Sequence, residues 1–169
     1  MSGVRHEVVA WSDATLELDD SFAYAGKFRV PSGKAVSRDA SGGIVAALSF
    51  SPDHADDSRA RVRYFAVRDD RRGEGIGSSL LSHTADRLLT DRGYDAVRVS
   101  VNNPYAYVAA HKAGFGWTGE TAGLESLVLE RPPDESADTD KRRDEGLRRF
   151  TDRDLSEPEH DFLRRKLSV

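Results

Sequence analysis

Three glycines alternate in the segment Arg71-Arg72-Gly73-Glu74-Gly75-Ile76-Gly77-Ser78, which runs from a strand-like stretch into a long amphipathic pattern. Glycine carries no Cβ, so another molecule can approach the backbone amides closely there. The first amides of a helix lack intrahelical partners and lie at the positive end of its dipole. A phosphate or pyrophosphate is the natural guest at such a point, and Arg71 and Arg72 add positive charge nearby. A second group of chemistry-capable residues follows downstream: Asn103-Pro104-Tyr105-Ala106, then Tyr107, then Ala113-Gly114-Phe115.

Several readings of the glycine segment compete. A glycine cluster by itself is compatible with a surface turn whose arginines sit in solvent. A dinucleotide fingerprint starting at Gly73 and Gly75 needs glycine or alanine where Ser78 stands, and the preceding strand ends too early for it. A Walker-type nucleotide loop needs a Gly-Lys-Ser/Thr that does not follow. A cradle for the pyrophosphate of coenzyme A fits every position.

Arg72-Gly73-Glu74-Gly75-Ile76-Gly77 resembles the R/Q-x-x-G-x-G/A signature of the GNAT superfamily of N-acetyltransferases. Asn103-Pro104-Tyr105-Ala106 with Ala113-Gly114-Phe115 is similar to that family's N-P-x-A…G-F segment at its usual separation. The resemblance is good over residues 61 to about 130; toward the N-terminus only strand order matches. It implies acetyl-CoA as co-substrate and an amine acceptor, either a small amine, an amino acid or a peptide. It implies further that Phe65 and Val67 offer backbone groups to the pantetheine arm and acetyl group. Arg72, Gly73, Gly75, Ile76, Gly77 and Ser78 would then hold the pyrophosphate, and Asn103 would lie near the pantetheine or thioester. Asn103 also reads as a plain helix cap, and the two roles can coexist.

In this family the amine attacks the thioester directly. Catalysis then requires two reactants held together, a donor to the developing oxyanion, and proton transfers from the amine and to the thiolate. Many relatives carry a tyrosine in N-x-x-A-x-x-L-Y-x-x-x-G-F that is credited with the last step. Here that position is Ala110. Tyr107, one turn earlier, is the candidate acid, with a packed aromatic as its competing reading; Tyr105 and His111 are weaker candidates. Tyr64 and Glu125 are the carriers considered for a general base. A catalytically weak acyl-CoA-binding or regulatory module is the alternative that Ala110 favours. The acceptor is expected near residues 20–27, where Phe22 and Tyr24 could touch it. The five histidines show no metal-ligand spacing, and His54 among Asp53, Asp56 and Asp57 reads as a solvated loop, so no metal is expected.

The elements that must position these groups can be read from periodicity. Residues 7–19 read as extended, with a break at Ser12-Asp13, and 20–27 as one or two helical turns. Residues 34–39 and 43–51 read as strands joined by Ala40-Ser41-Gly42. In the strand 61–67, Val62, Tyr64 and Ala66 alternate with Arg61, Arg63, Phe65 and Val67. Residues 75–92 carry an apolar face through Ile76, Leu80, Thr84 and Leu88. A strand at 96–101, a helix opening at Pro104, and strands near 115–119 and 125–130 follow. This order predicts a mixed α/β fold of the GNAT type: a mostly antiparallel sheet, one parallel crossover, and helices on both faces. Residues 1–131 form the expected domain.

Residues 132–169 form a charged extension in which 20 of 38 residues are acidic or basic. It reads as a solvated tail or as one or two short helices, with Ser156 and Glu159 as a capping box and an apolar stripe of Phe162, Leu163 and Leu167. Such a stripe would dock on the domain or on a second copy of the chain, making a homodimer.

Composition narrows the rest. The 169 residues are 38% hydrophobic and 32% charged, with a net charge of −4. That balance argues against a general nucleic-acid binder. No run approaches the ~18 apolar residues of a membrane span. The absence of cysteine excludes disulfides, thiolate ligation and a cysteine nucleophile, and a cytoplasmic protein is expected.

Overall fold

The computed structural model describes residues 3–123, 126–132, 139–151, 153 and 155–167. These contain seven strands and four α-helices in a mixed α/β arrangement, and none of the helices is long and apolar enough to cross a membrane. The chain divides into two compact units, residues 1–97 and 98–169.

The first unit is built on four strands, β1 (Arg5–Ala14), β2 (Ser32–Arg38), β3 (Ile44–Pro52) and β4 (Arg59–Val67), each antiparallel to the next. β3 is buried at six consecutive positions, Val45 to Phe50, which suits its apolar run and central place. The β2–β3 turn is held by the Asp39 carboxylate, which accepts from the amides of Ser41 and Gly43 and from the Ser41 hydroxyl. That is the asparagine- and aspartate-type turn expected of Asp-Ala-Ser-Gly. Strand β1 ends at Ala14, short of the extended reading to residue 19, because Asp13 takes a left-handed φ of 58°. The helical turns expected at 20–27 occur slightly later, as a 3-10 helix at Ala25–Arg29. Helix α1 (Ile76–Thr90) buries Ile76, Leu80, Leu81, Thr84, Ala85 and Leu88, the side that its sequence marks as apolar. Thr84 lies in that face because its hydroxyl donates back to the Leu80 carbonyl at 2.8 Å.

His6 on β1 and His83 on α1 meet with ring centroids 5.7 Å apart. His6 Nδ1 shares a 2.7 Å hydrogen bond with the Ser37 hydroxyl. Burial, and then the neighbouring His83, hold His6 below the ordinary histidine range. The unfolded chain therefore binds this proton more readily than the folded one as pH falls through about 6.5, so the contribution to stability is full above that pH and shrinks below it. Denaturant midpoints at pH 7.5 and 5.5 should show a smaller acid loss in His6→Gln than in the unaltered protein. Equal losses would remove this pair as the cause.

In the second unit, β5 (Ala96–Val101), whose first two residues precede the boundary, neighbours β7 (Ser126–Arg131), and β7 is antiparallel to β6 (Gly116–Ala122). Arg98 ties β5 to β7 through Glu130 at 2.7 Å and reaches Glu120 at 3.1 Å. Helix α2 (Pro104–Lys112) starts with proline at its first position. It stops where Gly114 takes a φ of 93° and the Phe115 amide returns to the Ala110 carbonyl at 3.0 Å.

Residues beyond Pro132 contribute α3 (Thr139–Arg148) and α4 (Glu157–Leu167). The capping box is formed: Glu159 Oε1 accepts from the Ser156 amide and hydroxyl at 3.0 and 2.9 Å, and the Ser156 hydroxyl accepts from the Glu159 amide at 3.3 Å. Leu147, Phe150 and Leu163 are at most 2% exposed, and Phe162 stacks on Tyr105 of α2 with centroids 4.6 Å apart. The apolar stripe thus docks within its own unit. Each such buried side chain contributes about 1.5–3 kcal/mol to holding α3 and α4 in place.

Candidate active site

Helix α1 begins at the glycine segment, and the structure assigns the three glycines different tasks. Gly73 and Gly75 have φ of 85° and 80°, a region costly for side chains other than glycine, and a Cβ on either would meet nothing within 4 Å. Both therefore shape the turn and leave open space above it. Gly75 is the N-cap and supplies no capping side chain, and no acidic residue stands in the first turn. Gly77 is different. A Cβ there would lie 3.0 Å from Val67 Cγ2 and 3.9 Å from the Phe65 ring. Its missing side chain lets α1 pack closely on β4, and it does not open the backbone to a ligand. Ile76 is buried as the first anchor of the helix, while Ser78 is half-buried on the first turn.

The arginines beside this turn are not free. Arg71 makes a bidentate pair with Glu74 at 2.8 and 3.1 Å, Arg72 meets Asp69 at 2.9 Å, and Arg68 holds Asp70 at 2.6 and 3.2 Å. Hydrogen bonds from Arg71 keep the Glu74 carboxyl below its usual range, and those from Arg68 do the same for Asp70. The added positive charge expected from Arg71 and Arg72 is thus balanced within the loop. What remains to attract a phosphate is the uncapped helix end. Exposed pairs of this kind contribute only ~0–1 kcal/mol each, so their arginines can exchange a carboxylate for a phosphate at little cost.

Strand β4 leads into this turn, and a bulge interrupts it. Ser49 pairs with Tyr64, but the next residue of β3, Phe50, pairs with Val62, leaving Arg63 unpaired. The simple alternation expected for 61–67 fails at that point. Arg61, Tyr64 and Ala66 share one face; Val62, Phe65 and Val67 share the other, the latter two against Gly77 of α1. Tyr64 is half-buried and stacks on exposed Tyr24 with centroids 5.5 Å apart. Phe22, expected to contact the acceptor, is instead buried with Phe28, Val36, Ala47 and Ala66 in the core on this face. Tyr24 is 51% exposed and available.

The same face holds a row that periodicity did not flag. Lys34, Ser49 and Tyr64 are direct cross-strand partners, and Ser51 pairs with Arg61 one step along. Lys34 is fully buried, donating to the Val30 carbonyl at 2.8 Å and to the Ser32 hydroxyl at 2.6 Å. Burial, followed by the charge of Arg63, pulls its ammonium below the lysine range. The one sequence signal was a lysine at a position of β2 whose neighbours two residues either way also face inward.

In the second unit, Asn103 Oδ1 accepts from the Ala106 amide at 2.9 Å, so the residue caps α2. Tyr107 is fully buried, and its hydroxyl donates to the Arg143 carbonyl of α3 at 3.0 Å. Ala110 is also fully buried. Tyr105 is exposed, and His111 is half-buried on the last turn of α2. Glu125 lies outside the described residues. Asp53 is bound to Arg59 and Asp56 to Ser58, so those acids beside His54 have other partners.

Residues 5–115 match the acetyltransferase (GNAT) family. The chain belongs to that family. It is accordingly an enzyme of the N-acetyltransferase class, and acetyl-CoA is the co-substrate that GNAT members use. No curated protein sequence matches this GNAT chain. Among solved structures it is similar to a nourseothricin acetyltransferase, at 17% identity and a TM-score of 0.51, over 76% of this chain and 97% of that one. It is also similar to a ribosomal-protein-S5-alanine acetyltransferase from Vibrio fischeri, at 14% identity and a TM-score of 0.52, over 63% and 64%. A spermidine N-acetyltransferase from Vibrio cholerae aligns at 14% identity and a TM-score of 0.50, over 66% and 64%. The last two likenesses span a little under two thirds of those proteins. At these identities they establish the fold alone.

Proposed function

We propose that this GNAT chain transfers the acetyl group of acetyl-CoA to an amine, with the turn at 72–78 holding the coenzyme's pyrophosphate. The observation that carries this reading is the uncapped N-terminus of α1, left open by the left-handed Gly73 and Gly75. The residues fit the group: no side chain caps the helix, a Cβ on Gly73 or Gly75 would meet nothing within 4 Å, and paired arginines stand beside the turn. Arg72, Gly73, Gly75, Ile76 and Ser78 would form the cradle, with Gly77 setting the distance between helix and strand. Backbone groups of Phe65 and Val67 would meet the pantetheine arm, and Asn103 would add to its cap a contact near the thioester. Residues 1–131 would make up the catalytic domain and 132–169 its extension.

The reaction needs no covalent intermediate on the protein. The amine nitrogen attacks the thioester carbon, the C–S bond breaks, the amine loses a proton and the thiolate takes one up. Holding the two reactants in register can supply roughly 7–11 kcal/mol in the best cases, so positioning can carry most of the rate. A colorimetric assay of released thiol against amines, amino acids and peptides tests the reading. Failure of the protein to bind coenzyme A would end it.

We assign Tyr107 a structural role in place of that of the thiolate's acid, because its hydroxyl is buried and committed to α3. Tyr107→Phe should leave kcat and its pH profile within about twofold, while the Arg143 carbonyl loses this donor at a cost of about 1–3 kcal/mol in stability. A loss of kcat on the order of 100-fold, the scale of general acid catalysis, would restore the catalytic role. With Ala110 at the family's tyrosine position and Tyr107 engaged, Tyr105, His111 and solvent water are the remaining donors. This arrangement is also what favours the second reading, a coenzyme A-binding module with weak turnover, which tight binding without acetylation would select.

A further inference from the structure

Seven arginines of the first unit, Arg29, Arg38, Arg59, Arg68, Arg71, Arg72 and Arg87, each contact a carboxylate. Arg5, Lys27 and Arg92 make no such contact among the described residues, and neither do Lys34, Arg61 and Arg63. The last three belong to β2 or to the bulged part of β4. Two buried hydroxyl oxygens, Ser49 Oγ and Ser51 Oγ, have no hydrogen-bond partner, and both lie on the face that carries Lys34 and Arg61. A buried ammonium without a counter-ion is costly, and a buried hydroxyl without a partner costs roughly 1–3 kcal/mol, so their coincidence calls for a missing partner. Everything this group offers can donate, and nothing in it is anionic. Its inner end is Lys34 and Ser49. Its outer end is half-buried Ser51 and Arg61 beside exposed Arg63.

We infer that this face of β2–β4 receives the negatively charged end of the acceptor, a carboxylate or a phosphate, so that the substrate is an anionic amine. The inference rests on the acetyl-transfer reading and names its substrate class. Arg61 lies four residues before Phe65 on β4, about 13 Å at the usual rise per residue, and long side chains shorten that span. The charged group and the acetylated nitrogen should therefore be separated by several bonds, as in an ω-amino acid or a peptide.

The test uses three sets of amines of equal chain length: ω-amino carboxylates, ω-aminoalkyl phosphates and ω-amino carboxamides. The full chain should acetylate one of the anionic sets with kcat/KM at least 10-fold above the carboxamides. In Arg61→Gln/Arg63→Gln that preference should collapse toward unity, chiefly through KM. Equal use of anionic and neutral amines would overturn the inference and leave the transferase reading standing. Calorimetric titration of the same compounds into the coenzyme-loaded protein gives a readout independent of turnover. If nothing is acetylated, the transferase reading fails, and the binding comparison still decides this one: tighter binding of the anions, lost in the double variant, supports it, and its absence overturns it. Lys34→Met probes the inner end, and the exposed arginine pair keeps the question answerable should that variant not fold.

Discussion

Gly75→Asp should weaken coenzyme A binding by at least about 100-fold, or about 2.7 kcal/mol, while leaving the protein folded. Two costs combine at this position. The N-cap of α1 has a φ of 80°, so any side chain strains the backbone by roughly 1–2 kcal/mol, least for Asp and Asn. The larger effect is electrostatic: the new carboxylate would project into the open space above the first turn, where two phosphates are proposed to sit. Because a Cβ meets nothing within 4 Å there, the core is untouched and the fold should survive. Gly75→Asn separates the costs. It has nearly the same volume, tolerates the left-handed conformation and carries no charge, so it should retain most of the affinity that the aspartate loses. Calorimetric titration with coenzyme A checks both, and an unchanged affinity in the aspartate variant would remove this turn from the binding site.

Gly146→Ala should cost about 2–3 kcal/mol of stability, the upper part of the range of about 1–3 kcal/mol for overpacking a tight core. A Cβ at Gly146 would lie 2.3 Å from Tyr107 Oη and 2.7 Å from its ring carbon Cζ. Tyr107 cannot swing aside readily, since it is fully buried, bonded through its hydroxyl to α3 and packed edge-on against Phe150 at 6.0 Å. The clash is partly with the hydroxyl itself. Combining Gly146→Ala with Tyr107→Phe should therefore cost less than the sum of the two single changes. Urea denaturation of the three variants measures this. Strict additivity would show that α3 does not rest on α2 through this contact.

Much of the architecture was legible because the local signals agreed. Helix α1 carries its apolar face at helical spacing, α2 has its asparagine cap and proline start, and the strands after β1 fell within a few residues of their predicted limits. The glycine segment was legible as a turn for the same reason, since glycine types report directly on backbone freedom. The separate job of Gly77 was not. Its φ is ordinary, and its need for a missing Cβ arises from Val67, ten residues earlier and on another element. Nor could periodicity show which way Arg61 points, because one unpaired residue at Arg63 inverts the alternation of the strand. The loop arginines misled in the opposite sense: their charges were visible, but the carboxylates that balance them were not assigned to them.

By itself, the order of residues determined the family, the sequence of elements and the place where an anion-seeking helix end would form, because those depend on backbone preferences and spacing within a few residues. Only the tertiary structure decided that Tyr107 is held by α3, that α3 and α4 form within the charged extension, and that Lys34, Ser49, Ser51 and Arg61 share a face. Each of those depends on side chains brought together across strands or helices, and burial changes what a hydroxyl or an ammonium can do only once such neighbours exist.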